Sequence, residues 1–171
     1  MALNSNRPTL VAVDANVLFD LADELDHVVD AMSLIRDRLP GARFILPPTA
    51  QQELANWALQ TDNLRKRRAA QKAIHVARSW RILPANLIAV AHGIAERIAR
   101  RLREVALLPE EEVHDAFLVA ESALLGCSIL LTSDEHLRGI DFERLTFELQ
   151  AFDLSAPVIA TPHEIVRKFF R

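Results

Sequence analysis

Four short apolar runs, each bounded by Pro, Gly, Asp or Ser, punctuate this chain, and longer stretches with helical spacing separate them. The runs are Leu10 to Val13, Phe44 to Leu46, Ser128 to Thr132 and Val158 to Thr161. A short continuous apolar run fits a strand buried on both faces, and strands that alternate with helices need the crossovers of a parallel sheet. The helical patterns cover Asn16 to Leu39, Ala50 to Leu59, Leu64 to Arg81, Leu87 to Val105, Glu110 to Leu125 and Pro162 to Phe170. This order predicts an α/β fold in three layers, with a mostly parallel central sheet flanked by helices. All 171 residues read as one domain with an extra helical region at about 60–108, and no repeat or linker interrupts them.

At 50% hydrophobic residues the chain can build a core without disulfides. Its single cysteine, Cys127 in LLGCSILLTS, reads as a small buried hydrophobe in a reducing compartment. The N-terminus shows no signal peptide, and no segment approaches the roughly 20 apolar residues of a membrane span. A cytoplasmic protein without membrane association is the expectation.

Net charge is −3, but it is unevenly spread. Between Asn63 and Ala95 stand seven Lys or Arg and no Asp or Glu, so the remainder carries −10 by difference. Carboxylates able to hold cations would then lie beside a cationic surface able to hold phosphates. The plainer reading of such a run is a solvated helix face. Within it Arg65, Arg68 and Lys72 share one helix face at i, i+3 and i+7, which makes them candidate nucleic-acid contacts.

Four acids fall where strands hand over to helices. Asp14 ends the first strand, and Asp134 follows the strand in SILLTSD. Glu53 and Asp115 sit near helix starts; a capping box from Thr49 to Gln52 places the first, and Pro109 with Glu110 to Glu112 marks the second. In an open parallel sheet this edge is where ligands bind. Each acid alone could be a cap, a macrodipole partner or a turn residue. Four together suggest a shared site, and Asp115 most of all, because its helix DAFLVAESALLG is apolar almost all round. Two unit charges about 4 Å apart repel by about 4 kcal/mol at an effective dielectric near 20, so converging carboxylates call for a cation. Hard divalent ions suit oxygen donors and support in-line phosphodiester displacement without a protein nucleophile.

These stretches resemble the PIN-domain nucleases, which include the ribonuclease toxins of bacterial toxin-antitoxin pairs. VAVDANVLFDL is similar to the family's opening strand and D-x-N turn, QQELANWA to its second acidic position, and HDAFLVAESALLGCSILLTSDEHL to its long closing motif. TPHEIVRKF is similar to its last strand and helix. The resemblance implies a Mg²⁺- or Mn²⁺-dependent endoribonuclease in which Asp14, Glu53, Asp115 and Asp134 are catalytic, and Asp14, Asp115 and Asp134 hold metal. Asn16, Thr132 and Ser133 would support the ligands or contact phosphate. RNA is the implied substrate, a homodimer the expected assembly, and a cognate antitoxin a candidate partner. Two features depart from compact toxin-like members: the stretch between Glu53 and Asp115 is longer, and His136 stands where an additional acid or amide often appears.

Other readings compete. A haloacid-dehalogenase-like phosphatase expects a second Asp where Asn16 stands, and a phospho-receiver expects a late strand-end lysine, whereas the lysines are Lys66, Lys72 and Lys168. The main alternative keeps the PIN-like fold as a binding or assembly module with weak or no catalysis. His27, His75, His92, His114, His136 and His163 show no zinc spacing, although His114 and His136 flank proposed ligands. Trp57 and Trp80 read first as packing residues and second as base-stacking ones. Ile74, Ile82, Leu83, Leu87, Ile88 and Val90 suggest self-association through the middle helices.

Overall fold

Val11, Ala12 and Val13 are each fully buried, although neighbouring strand residues point to opposite faces of a sheet. Their strand must therefore be covered on both sides. The computed structural model, which describes residues 8–169, shows how. Strand β1 (Leu10–Val13) is followed by α1 (Ala15–Ala22), α2 (Asp26–Arg38), β2 (Arg43–Leu46), α3 (Pro48–Leu59), α4 (Leu64–Ser79) and β3 (Leu83–Pro84). Then come α5 (Ala89–Glu104), α6 (Val113–Leu124), β4 (Ile129–Leu131), α7 (Glu135–Arg138), α8 (Phe142–Gln150), β5 (Val158–Ala160) and α9 (Pro162–Phe169). The strands form one sheet in the order β3-β2-β1-β4-β5, and every neighbouring pair is parallel. Helices flank the sheet to give the three-layer α/β arrangement.

The order places β1 centrally, paired with β2 on one side and with β4 on the other. Connections leave β1 toward one edge and return at β4 on its other side, so a crevice opens beyond the carboxyl ends of these two strands. Around the sheet, α2 packs on α9, α5 on α6, and α4 on both α1 and α3. The largest fully buried side chains include Leu18, Met32, Ile35, Ile98, Leu102, Leu130 and Leu131, drawn from the sheet and from several of these helices.

Several elements differ from the sequence reading. The helix expected over Asn16 to Leu39 breaks at Asp23 to Leu25, where Glu24 adopts a left-handed φ of 57°. Acids at 23, 24 and 26 leave little there for packing to hold in a helix. Strand β3 lies outside the expected strands, because it is two residues long and exposed on both. Helices α7 and α8 are likewise additional; Asp134 and Asp141 cap them, and Leu145 and Leu149 bury the inner face of α8. The Thr49–Gln52 capping box does not form: α3 begins at Pro48, so Thr49 lies inside it and bonds elsewhere. Gly126, at φ 71°, follows the end of α6 in the left-handed conformation that such a stop requires. The expected end of the last helix at Phe170 lies outside the described residues. Among the described residues no helix is long and apolar enough to cross a membrane.

Candidate functional site

The crevice beyond β1 and β4 holds a cleft of about 360 Å³ whose wall includes Asp14, Glu53, Asp115 and Asp134. The four acids come from four separate chain segments. Asp14 directly follows β1, Glu53 lies in the second turn of α3, Asp115 in the first turn of α6, and Asp134 immediately before α7. Asn16, Asn56, Trp57 and His114 complete the lining.

Asp14 occupies the N-cap position of α1 yet makes no side-chain cap bond. Its carboxylate turns instead toward β4: Oδ2 accepts from the Thr132 hydroxyl at 2.8 Å and from Asn16 Nδ2 at 2.8 Å. Thr132 is fully buried, so its hydroxyl acts on Asp14 and on the Asp134 amide, which donates to it at 3.0 Å. Asn16 Oδ1 accepts from the Ser133 amide, which ties the two strand ends together. The Ser133 hydroxyl points away, donating to Asp20 at 2.8 Å. Asp134 does cap its helix, its Oδ1 accepting from the amides of His136 and Leu137.

Burial is the main cost of charge in this cleft. It lifts the Asp14 carboxyl from 3.8 to about 6; the Thr132 bond opposes the rise, and the charges of Glu53 and Asp134 add to it. Asp115 is pushed to about 7, first by burial and then by Asp134, Asp14 and Glu112, with His136 opposing. Glu53 is also raised by burial, with His114 pulling the other way. The acids thus repel through a shared space. Clustered, perturbed carboxyls in a cleft make it a candidate functional site.

The sequence reading missed a residue that links the helices of two acids. Glu121, on α6, is almost fully buried, and its carboxylate accepts from both the Thr49 amide at 2.9 Å and the Thr49 hydroxyl at 2.8 Å. It satisfies donors in the first turn of α3, which otherwise have no intrahelical partner. Glu53 on α3 and Asp115 on α6 are therefore held in register by a clamp one turn or more from each. A signal exists in the sequence, since Glu121 is the one charged residue after Asp115 in a helix whose other residues there are apolar except Ser122.

Trp57 lines the cleft and stacks on Phe19 with ring centroids 4.8 Å apart. Trp80 lies elsewhere, under the Arg36 guanidinium. Arg65, Arg68 and Lys72 are exposed on α4 and none lines the cleft; Lys72 is 3.8 Å from Asp23. Cys127 is buried and its thiol is pushed up to about 12 by burial, which leaves it unreactive. A larger groove of about 680 Å³ opens beside the cleft, with Asp20 and Ser133 in its wall. It contains none of the four acids, so the smaller cleft is the candidate site.

The donor set is all oxygen, which suits Mg²⁺ or Mn²⁺. Among the described residues, however, no three His, Cys, Asp or Glu side chains converge closely enough to hold a metal ion as they stand. The acids line one cleft but do not form a closed ligand cage. That spacing agrees with their repulsion, and with ions that usually take only one or two carboxylates and fill their shell with water and phosphate.

A family model described as PIN domain matches residues 11–143. No curated protein matches the sequence. Among solved structures, a chain of VapBC2 from Rickettsia felis, crystallised bound to a DNA fragment from their promoter, aligns with a TM-score of 0.62 at 11% identity. The alignment covers 90% of this chain and 98% of that one. A chain of VapBC-5 from Mycobacterium tuberculosis aligns with a TM-score of 0.48 at 16% identity, with the same two coverages.

Proposed function

Because the chain belongs to the PIN-domain family, we propose that its acidic cleft hydrolyses phosphodiester bonds in RNA with the help of Mg²⁺ or Mn²⁺. The observation that carries this reading is the meeting of Asp14, Glu53, Asp115 and Asp134 in one cleft. Asp14, Asp115 and Asp134 would hold the metal, which when bound supplies a charge that activates water and stabilises the developing phosphorane. Thr132 and Asn16 orient the Asp14 carboxylate by donating to its Oδ2. Glu53 is the carboxylate left to orient the attacking water. Purified protein should cleave RNA in Mn²⁺ to 5′-phosphate and 3′-hydroxyl ends and lose that activity in EDTA; full activity in EDTA would sink the mechanism.

A second reading takes the chain as a PIN-like binding or assembly module with weak or no catalysis. The ligand geometry as it stands favours this one, since no three ligands are already gathered among the described residues. RNA bound tightly but left intact in Mn²⁺ would establish it.

The likeness to a chain of VapBC2 supports a protein partner, and we propose a cognate antitoxin for that role. We also propose a homodimer. Of the residues that suggest it, Ile82 is buried in the core, whereas Leu83, Ile88 and Val90 are 57%, 76% and 71% exposed around the edge strand β3. Light scattering should give twice the chain mass, and Ile88→Asp with Val90→Asp should return the monomer. A monomeric wild type at working concentration would remove this assembly.

A further inference from the structure

The lining of the carboxylate cleft contains four acids and no Lys or Arg. A phosphate chain approaching it meets repulsion that the proposed metal would offset within the cleft, and a cation beside the cleft would hold the strand outside it. Helix α4 carries Arg65, Lys66, Arg67, Arg68 and Lys72 close together. Arg67 folds back to donate to the Thr61 carbonyl, and Lys72 faces Asp23. Lys66 is different. Its ammonium stands over the indole of Trp57, 4.7 Å from the ring centroid, and Trp57 is part of the cleft wall.

The backbone that carries Lys66 and the indole of Trp57 are each held by neighbours. Asn63 caps α4 by accepting from the amides of Arg65 and Lys66, which sets the first turn. Phe19 stacks on Trp57 from α1 and holds the indole. A cation over an aromatic face is attracted to the ring without being neutralised by it, so its charge stays available to a ligand. Lys66 is exposed and has a long flexible stem that can reach along the wall.

We propose that Lys66 is the cation that meets a phosphate of the RNA strand beside the cleft, and that Trp57 is the positioning residue that holds it there. This inference rests on the RNA-directed reading above. It sets Lys66, whose ammonium lies over the cleft-lining Trp57, apart from Arg65, Arg68 and Lys72.

The test is fluorescence anisotropy of a labelled single-stranded RNA, titrated over a salt series, on an Asp115→Asn protein that does not consume it. Lys66→Ala should reduce the log-log salt slope by about 0.7, the value for one single-strand phosphate contact. Trp57→Leu should reproduce that loss, Trp57→Phe should largely restore the parent slope, and Lys66→Ala with Trp57→Leu should lose no more than either alone. A Lys66→Ala line parallel to its parent, with RNA bound, overturns this inference and leaves the functional reading intact. Equal losses in Trp57→Phe and Trp57→Leu overturn the positioning role. No RNA binding by the parent overturns the functional reading and this inference together. Lys66 is exposed, so its variants test the contact without a folding defect, and a thermal melt of each Trp57 variant keeps that arm interpretable.

Discussion

Replacing Asp115 with Asn should abolish cleavage and at the same time raise the melting temperature. The carboxyl ionises near 3.8 in an ordinary setting and near 7 in the folded chain. Between those values the folded state keeps a proton that the unfolded state has lost, so this group's contribution to stability falls as pH rises from about 4 through 7. Above pH 7 the folded protein carries the whole penalty of a charged, part-buried Asp115 among Asp14, Asp134 and Glu112. The neutral amide of the Asp115→Asn variant would remove that penalty, worth about 1–3 kcal/mol after discounting for solvent screening. For a chain of this size each kcal/mol shifts the midpoint by about 2–4 °C. The gain should be largest at pH 8, shrink toward pH 5 and vanish near pH 4. Activity in Mn²⁺ should fall by at least about 10²-fold, the scale of losing a single well-placed electrostatic stabiliser. Melting curves at pH 8 and pH 5, paired with cleavage rates, check both halves. A lower melting temperature with unchanged cleavage would make Asp115 a helix-start residue and nothing more.

Glu121→Ala should be the most damaging substitution outside the cleft. It removes both acceptors of Thr49 and leaves a part-buried amide in the first turn of α3 without its partner. Each hydrogen bond to a charged group contributes about 1.5–3 kcal/mol, partly offset by the burial that raises the Glu121 carboxyl above its usual range. A net loss of about 2–4 kcal/mol in denaturant unfolding is expected at pH 7. Glu121→Gln keeps one acceptor and offers a donor to the rotatable Thr49 hydroxyl, so it should cost about 1 kcal/mol. Cleavage by the Ala variant should fall even well below its melting temperature, because α3 carries Glu53. Unfolding within about 0.5 kcal/mol of wild type would show that the clamp contributes nothing, the scale of ordinary surface changes.

The sequence reveals the strands that are buried on both faces, since continuous apolar runs such as Leu10 to Val13 leave few alternatives. It also places the acids, because strand ends and helix starts in a parallel sheet converge on one edge. What it conceals depends on long-range partners. Thr49 looks like a local cap, yet its partner is Glu121, 72 residues away. Strand β3 has no apolar run to announce it and exists only because β2 offers an edge to pair with. Trp57 and Lys66 belong to different helices, and only the packing of α3 against α4 brings them together. Asp14 and Asp134 sit at matching cap positions, but only Asp134 uses its carboxylate as a cap. No propensity separates them; the buried Thr132 hydroxyl that draws Asp14 away does.

Four mutually repelling carboxylates in one cleft should act as a cation site. Mn²⁺ binding followed by electron paramagnetic resonance at pH 7.5 measures this without substrate. Saturable loss of the free Mn²⁺ signal is expected with wild type, strongly weakened in Asp14→Asn and Asp115→Asn, together with a higher melting temperature when the ion is present. A wild type that takes up no more Mn²⁺ than those variants would rule out a cation site and leave the cleft to a binding module.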